Sequence, residues 1–110
     1  MNNPKRGEIY WANLDPTIGT EIGKKRPAVI LSNDVSNVIA SRVIVAPLTS
    51  NATKIFPFEV PINLKGKNGK ILLDQIRSID KLRINDKISA CDDVTLELIA
   101  EALKIALALP

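Results

Sequence analysis

The chain reads as a mainly β domain closed by one C-terminal helix. Short apolar runs rich in β-branched residues recur between Glu8 and Cys91, separated by Gly, Pro, Asn and Asp turn signals. Only the last stretch, up to Leu109, carries a helical pattern. Hydrophobic content is 45% but aromatic content only 4%, so the core must be built from Ile, Leu, Val and Ala.

Glu8-Ile9-Tyr10-Trp11-Ala12 reads as the first strand, with Ile9 and Trp11 on one face and Tyr10 on the other. That alternation makes Trp11 a core residue and leaves Tyr10 as the better candidate for stacking on a ligand. Asn13 to Gly23 carries Asp15-Pro16, Gly19 and Gly23 and is a loop, long for so small a domain. Pro27 to Ser32 is a continuous apolar strand. Pro27 suits its first position, where a missing N–H costs least. Asn33 to Ser41 is turn-rich. Val43 to Leu48 is the third strand, and Pro47 predicts an edge or a bulge near its end.

Phe58 to Ile62 alternates and reads as a strand. Phe56 and Phe58 flank Pro57 and fit either a core or a contact with a partner. Lys65 to Lys70 is a turn with three lysines. Ile71 to Ile79 reads as one strand, which places Gln75 and Arg77 on a shared face. Lys87 to Cys91 is a short strand. Asp92 or Asp93 caps the final helix. Glu97, Glu101 and Lys104 form one narrow polar stripe, and the rest of the helix is apolar. Covering one sheet face needs only one apolar stripe. The excess fits either a second copy of the chain or tolerated surface leucines.

A chain of 110 residues holds one domain, spanning 1–110, with a modest core. The start, Met1 to Arg6, lacks the apolar stretch of a signal peptide, and Val94 to Leu109 carries too many charges to span a membrane. The single cysteine, Cys91, excludes an internal disulfide and reads as a buried small hydrophobe. These features predict a cytoplasmic protein. Net charge is +3, but it is unevenly placed. Residues 1–90 hold 14 Lys/Arg against 8 Asp/Glu, and residues 91–110 hold 1 against 4. A basic body fits a polyanionic partner.

Two segments couple strands to polar chemistry. Lys24-Lys25-Arg26 leads into the second strand, and Thr49-Ser50 leaves the third. An arginine beside a hydroxyl binds phosphate and stabilises charge developing on it. The chain has no histidine, so any acid–base work falls to other groups.

These segments resemble the PemK/MazF family of toxin–antitoxin endoribonucleases. The resemblance starts at Arg6-Gly7-Glu8-Ile9-Tyr10-Trp11. It continues through Gly19-Thr20-Glu21-Ile22-Gly23-Lys24-Lys25-Arg26-Pro27 and Leu31-Ser32-Asn33-Asp34. Val43 to Ser50, Leu72 to Lys81 and the closing Asp92-Asp93 with its apolar helix complete it. It implies a small, strongly bent antiparallel barrel, Src-homology-like, with a C-terminal helix, usually as a homodimer. It implies cleavage of single-stranded RNA at short sequences, with no metal and no other cofactor. The 2′-hydroxyl attacks the adjacent phosphorus and leaves a 2′,3′-cyclic phosphate and a 5′-hydroxyl.

On that resemblance Arg26 and Thr49 carry catalysis, Arg26 by stabilising the phosphorane and Thr49 by bonding a phosphate oxygen or the 2′-hydroxyl. Glu21 serves either as general base or as a positioning residue. Lys24, Lys25, Ser50, Lys54, Gln75 and Arg77 are the expected RNA contacts. Lys65, Lys67 and Lys70 add attraction. The implied partner is a MazE-like antitoxin whose tail competes with RNA for the basic groove, and DNA is bound only through that antitoxin. Two other readings share the barrel: a non-enzymatic toxin that poisons DNA gyrase, and a catalytically silent RNA-binding domain.

Overall fold

A computed structural model describes residues 3–110; Met1 and Asn2, the start of the segment weighed above for a signal peptide, lie outside the described residues. Seven strands and two helices follow in the order β1 (Glu8–Asn13), β2 (Lys25–Ile30), α1 (Asp34–Ile39), β3 (Arg42–Thr49), β4 (Glu59–Leu64), β5 (Lys67–Leu72), β6 (Arg77–Asp80), β7 (Ile84–Ala90) and α2 (Asp93–Ala106). Single 3-10 turns at Leu73–Gln75 and Lys81–Arg83 flank β6. All pairings are antiparallel, in the order β4-β5-β3-β2-β1-β7, with β6 also paired to β3. The result is a strongly curled half-barrel with a C-terminal helix, as the family resemblance implies.

The continuous apolar runs of β2 and β3 arise because both of their faces are buried. Val29, Ala46 and Leu48 join Ile9, Val60, Ile71, Leu73 and the α2 residues Ile99 and Ala102 in one cluster. Ala28, Ile30, Val43 and Val45 join Ala12, Leu14, Ile79 and Ile84 in a second cluster, inside the curl of the sheet. The first cluster is the one that α2 covers.

Four expectations about the elements need correction. Asn33 to Ser41 contains a short helix, started by the Asn33 side chain accepting from Ser36 N at 2.8 Å. Pro47 lies neither on an edge nor in a bulge: β3 is central and keeps an unbroken register with β2 (28↔47, 29↔46, 30↔45). Leu31 N donates to Ile44 O at 2.8 Å, so the ladder's alternation turns the Pro47 nitrogen away from β2. On that other side β3 pairs with β6 as far as Val45 and with β5 from Leu48 onward. Pro47 therefore occupies the gap between two partners, where no N–H is needed.

The lysine-rich turn is only Lys65-Gly66. Both residues have positive φ (49° and 86°), the type I′ geometry of a two-residue hairpin, and Lys67 to Lys70 already belong to β5. Ile71 to Ile79 is not one strand. Ile71, Leu72 and Leu73 are buried in succession, which an alternating strand cannot achieve, so the chain bends through a 3-10 turn. Gln75 thus stands in that turn and Arg77 opens β6.

The Asp92 carboxylate caps α2, accepting from Thr95 N at 2.8 Å. Hydrogen bonds from Thr95 hold its pKa below the ordinary 3.8. Cys91 is half-buried against the α2-covered cluster. Burial, then the Asp92 charge, pushes its thiol up to about 11. No helix among the described residues is long and apolar enough to cross a membrane.

Candidate active site

The β2–β3 ladder ends at the rung Ala28↔Pro47. Two residues further along each strand stand Arg26 and Thr49. Arg26 is by then paired with Ala12 of β1, and Thr49 with Lys70 of β5. The two strands have parted, and the cleft is the wedge between them. Arg26 and Thr49 line both of its lobes, about 370 and 630 Å³ in volume.

The smaller lobe has an apolar floor of Leu48, Ile62, Leu64 and Ile88, with Lys25 and Ser50 in its wall. That floor continues the face that α2 covers, and no α2 residue lines the lobe itself. Trp11 belongs here too. It is 43% exposed, so the reading of Trp11 as a core residue is corrected. It shares a β1 face with Ile9, as alternation requires, but lies opposite Pro27, where the helix no longer shields it. Tyr10, the alternative stacking candidate, packs against the inner cluster and donates to Glu8 Oε1 at 2.9 Å. Burial, then that carboxylate, pushes its hydroxyl up to about 12.

The larger lobe brings Glu21, Lys24 and Gln75 to the same pair. The Arg26 guanidinium has no carboxylate within ion-pair distance among the described residues. Its Nε donates to Gly23 O at 2.9 Å. The ion pairs with Glu21 or Asp74 that a purely structural Arg26 would make are therefore missing. Glu21 Oε1 instead accepts from Ile18 N at 2.7 Å and holds a turn of the β1–β2 loop. Lys24 and Lys25 are exposed, Lys24 with a positive φ of 66°. Thr49 Oγ1 accepts a long bond from Asn51 N at 3.3 Å.

Gln75 and Arg77 meet the loop from a third hollow that adjoins Glu21. Gln75 Oε1 accepts from Ile22 N at 2.8 Å, and Arg77 Nη1 donates to Leu14 O at 2.9 Å. Lys54 stands apart from both lobes. Its Nζ sits 4.8 Å from the centroid of the Phe56 ring, which stacks on Phe58, while the Lys54 carbonyl accepts from Lys70 Nζ. Lys70 is itself paired with Glu59 at 2.8 Å and lines the larger lobe, so Lys54 is one residue removed from the cleft.

Sequence reasoning passed over three residues that shape the site. Asp15 Oδ1 accepts from Lys24 N at 2.9 Å and closes the loop. Gly23 packs beside that bond: a Cβ there would meet the Asp15 carboxylate and the Thr17 hydroxyl, and those side chains would have to shift. Arg83 donates through Nη1 to Asn13 O and Asp15 O. Gly23 was legible only as a turn residue, and Arg83 acts across some seventy positions that no local motif spans. Among the described residues no three His, Cys, Asp or Glu side chains cluster closely enough to hold a metal ion.

The arrangement offers an unpaired guanidinium and a hydroxyl across a basic, partly apolar wedge. It can clasp a phosphodiester and stabilise charge on it. Comparisons with known proteins lead the same way. Endoribonuclease EndoA of Bacillus subtilis is 42% identical over 110 residues, covering 96% of this chain and 95% of that protein. The crystal structure of MazF from Deinococcus radiodurans superposes with a TM-score of 0.87 at 30% identity, over 98% of this chain and 99% of that one. A mycobacterial endoribonuclease in complex with its cognate antitoxin superposes at 0.82 with 26% identity, over 97% of each chain. The family profile of the PemK-like, MazF-like toxin of type II toxin–antitoxin systems matches residues 5–107. This chain belongs to that family.

Proposed function

We propose that the protein is an endoribonuclease toxin that cuts single-stranded RNA and so arrests translation and growth, and that it needs neither metal nor cofactor. The observation that carries this reading is the Arg26 guanidinium, free of any carboxylate among the described residues and lining both lobes of the cleft together with Thr49. RNA holds its own nucleophile. The 2′-oxygen bonds to the adjacent phosphorus as its proton leaves. The bond from phosphorus to the 5′-oxygen breaks, and that oxygen takes up a proton. The products are a 2′,3′-cyclic phosphate and a 5′-hydroxyl.

The protein's share is alignment and charge stabilisation. Arg26 bonds the non-bridging oxygens as negative charge builds on them. Thr49 bonds a phosphate oxygen or the 2′-hydroxyl. Glu21 acts by positioning, consistent with its bond to Ile18 N. Lys24, Lys25, Ser50 and Lys54 contact the backbone, and the nitrogens that Gln75 and Arg77 do not spend on the loop face the substrate. The salt slope of binding should be about −0.7 per neutralised phosphate.

The protein works in the cytoplasm, opposed by a MazE-like antitoxin whose tail occupies the wedge, and it meets DNA only through that antitoxin. Val94, Leu98 and Ile105 form an exposed stripe on α2, which fits a homodimer. The deciding experiment incubates the purified protein with a long mixed-sequence RNA in EDTA and maps the ends. Discrete cuts with cyclic-phosphate and 5′-hydroxyl ends, lost in Arg26→Ala while the fold survives, are expected. Intact RNA, or undiminished cutting by Arg26→Ala, would refute the reading.

A further inference from the structure

We propose that Arg83, outside both lobes of the cleft, is a positioning residue for Arg26; the inference rests on the ribonuclease reading above. Two guanidiniums hold three successive carbonyls at the start of the β1–β2 loop. Arg83 Nη1 donates to Asn13 O at 3.1 Å and to Asp15 O, and Arg77 Nη1 takes Leu14 O between them at 2.9 Å. A loop start would normally leave such carbonyls to water. Here the donors come from β6 and from the 3-10 turn before β7, so the loop is tied to the body of the sheet.

The tie continues to the reacting group. Asp15, fixed by its carbonyl, accepts through Oδ1 from Lys24 N at 2.9 Å, and Leu14 N donates to Lys24 O at 2.9 Å. These bonds seat Gly23 and Lys24 against Asp15, close enough that a Cβ at Gly23 would displace the carboxylate. Gly23 O then accepts from Arg26 Nε at 2.9 Å. That bond engages Nε and leaves the two terminal nitrogens of a residue that lines both lobes available to substrate. An unbroken run of hydrogen bonds thus joins Arg83 to Arg26. With two carbonyls on one nitrogen, the Arg83 side chain is committed to the loop. Arginine suits this task because its planar fork loses little freedom when it bonds.

The test compares wild type with Arg83→Gln on a short RNA carrying one cut site. Misplacing a catalytic group by a fraction of an ångström should lower kcat about tenfold. KM and the salt slope should hold within about twofold, because no phosphate contact is lost. Arg83→Lys, which can still reach a carbonyl, should recover part of kcat. Asp15→Ala cuts the same run at another link and should show the same split, which covers the case of an Arg83→Gln chain that does not fold. A fall carried by KM, with a shallower salt slope, would make Arg83 a phosphate contact and overturn the proposal, as would an unchanged kcat. The Arg26 Nε–H signal in nitrogen-15 NMR separates this inference from the ribonuclease reading. It should exchange slowly with solvent in wild type and much faster in Arg83→Gln. Faster exchange in a protein that cuts no RNA would uphold the link and sink the ribonuclease reading; unchanged exchange would sink the link.

Discussion

Gly69→Ala tests how closely the backbone is packed behind Thr49. Gly69 sits in β5 opposite Ile62 with an ordinary φ, so the methyl group costs nothing through backbone strain. Its cost is a collision. A Cβ at Gly69 would stand 2.6 Å from Thr49 O, with Thr49 C at 3.5 Å and Ser50 Cα at 3.7 Å. Real Cβ contacts stay beyond 3.0 Å and are comfortable from 3.4 Å, so β3 and β5 must separate by 0.4–0.8 Å. Neither side of the contact is a flexible side-chain end. Overpacking of this kind costs about 1–3 kcal/mol. At about 4 °C per kcal/mol for a chain of this size, Tm should fall by about 4–12 °C. The same shift carries Thr49 out of line with Arg26, and half an ångström should lower kcat about tenfold. Differential scanning calorimetry and single-turnover cleavage measure the two effects on one preparation. A variant with Tm within about a degree of wild type and unchanged kcat would refute the packing argument.

Two further outcomes follow from the titrating groups. The single tyrosine makes an ultraviolet titration unambiguous: Tyr10 should ionise near 12, and Glu8→Gln should bring it down part of the way toward 10.0, since burial, the larger cause, remains. A midpoint unmoved by Glu8→Gln would show that the Tyr10–Glu8 bond does not persist in solution. Asp92→Ala should lower Tm at neutral pH by removing the α2 cap. The folded carboxyl has a lowered pKa, so its contribution is present above the unfolded value of 3.8 and lost as pH falls through the folded one. The Tm gap between Asp92→Ala and wild type should therefore close in acid, and a gap that persists there would mean the cap does not depend on charge.

Much of the fold was legible because β1 to β3 are short apolar runs between strong turn signals and α2 begins at an aspartate. The place of the cleft was legible too, since Arg26 and Thr49, which line it together, stand at the ends of recognisable strands. What was hidden depends on partners distant in sequence. Trp11 alternates with Ile9 like a core residue, and only the reach of α2 decides that one is covered and the other is not. Pro47 signals an edge locally, yet it fits a central strand because β3 changes partner there. Ile71 to Ile79 has strand composition throughout, but the chain must bend to bury Leu73. Gln75, Arg77 and Arg83 are polar residues whose partners lie in a loop 53 to 70 positions earlier.

The parting of β2 from β3 has a consequence for how such a site can change. Arg26 is carried by the rung with Ala12 and Thr49 by the rung with Lys70, so their separation is a dimension of the sheet. It is governed by how sharply β1 and β5 curl away from each other, a property spread over the two buried clusters. The loops at Asn13–Gly23 and Thr49–Phe58 border the gap without setting its width. Substitution in those loops, away from Thr49 and from the Asp15, Gly23 and Lys24 bonds that hold Arg26, can therefore alter which nucleotides are admitted while the distance across which the phosphate is grasped stays constant. Outside those few positions, target choice and reaction chemistry are separately variable in this architecture.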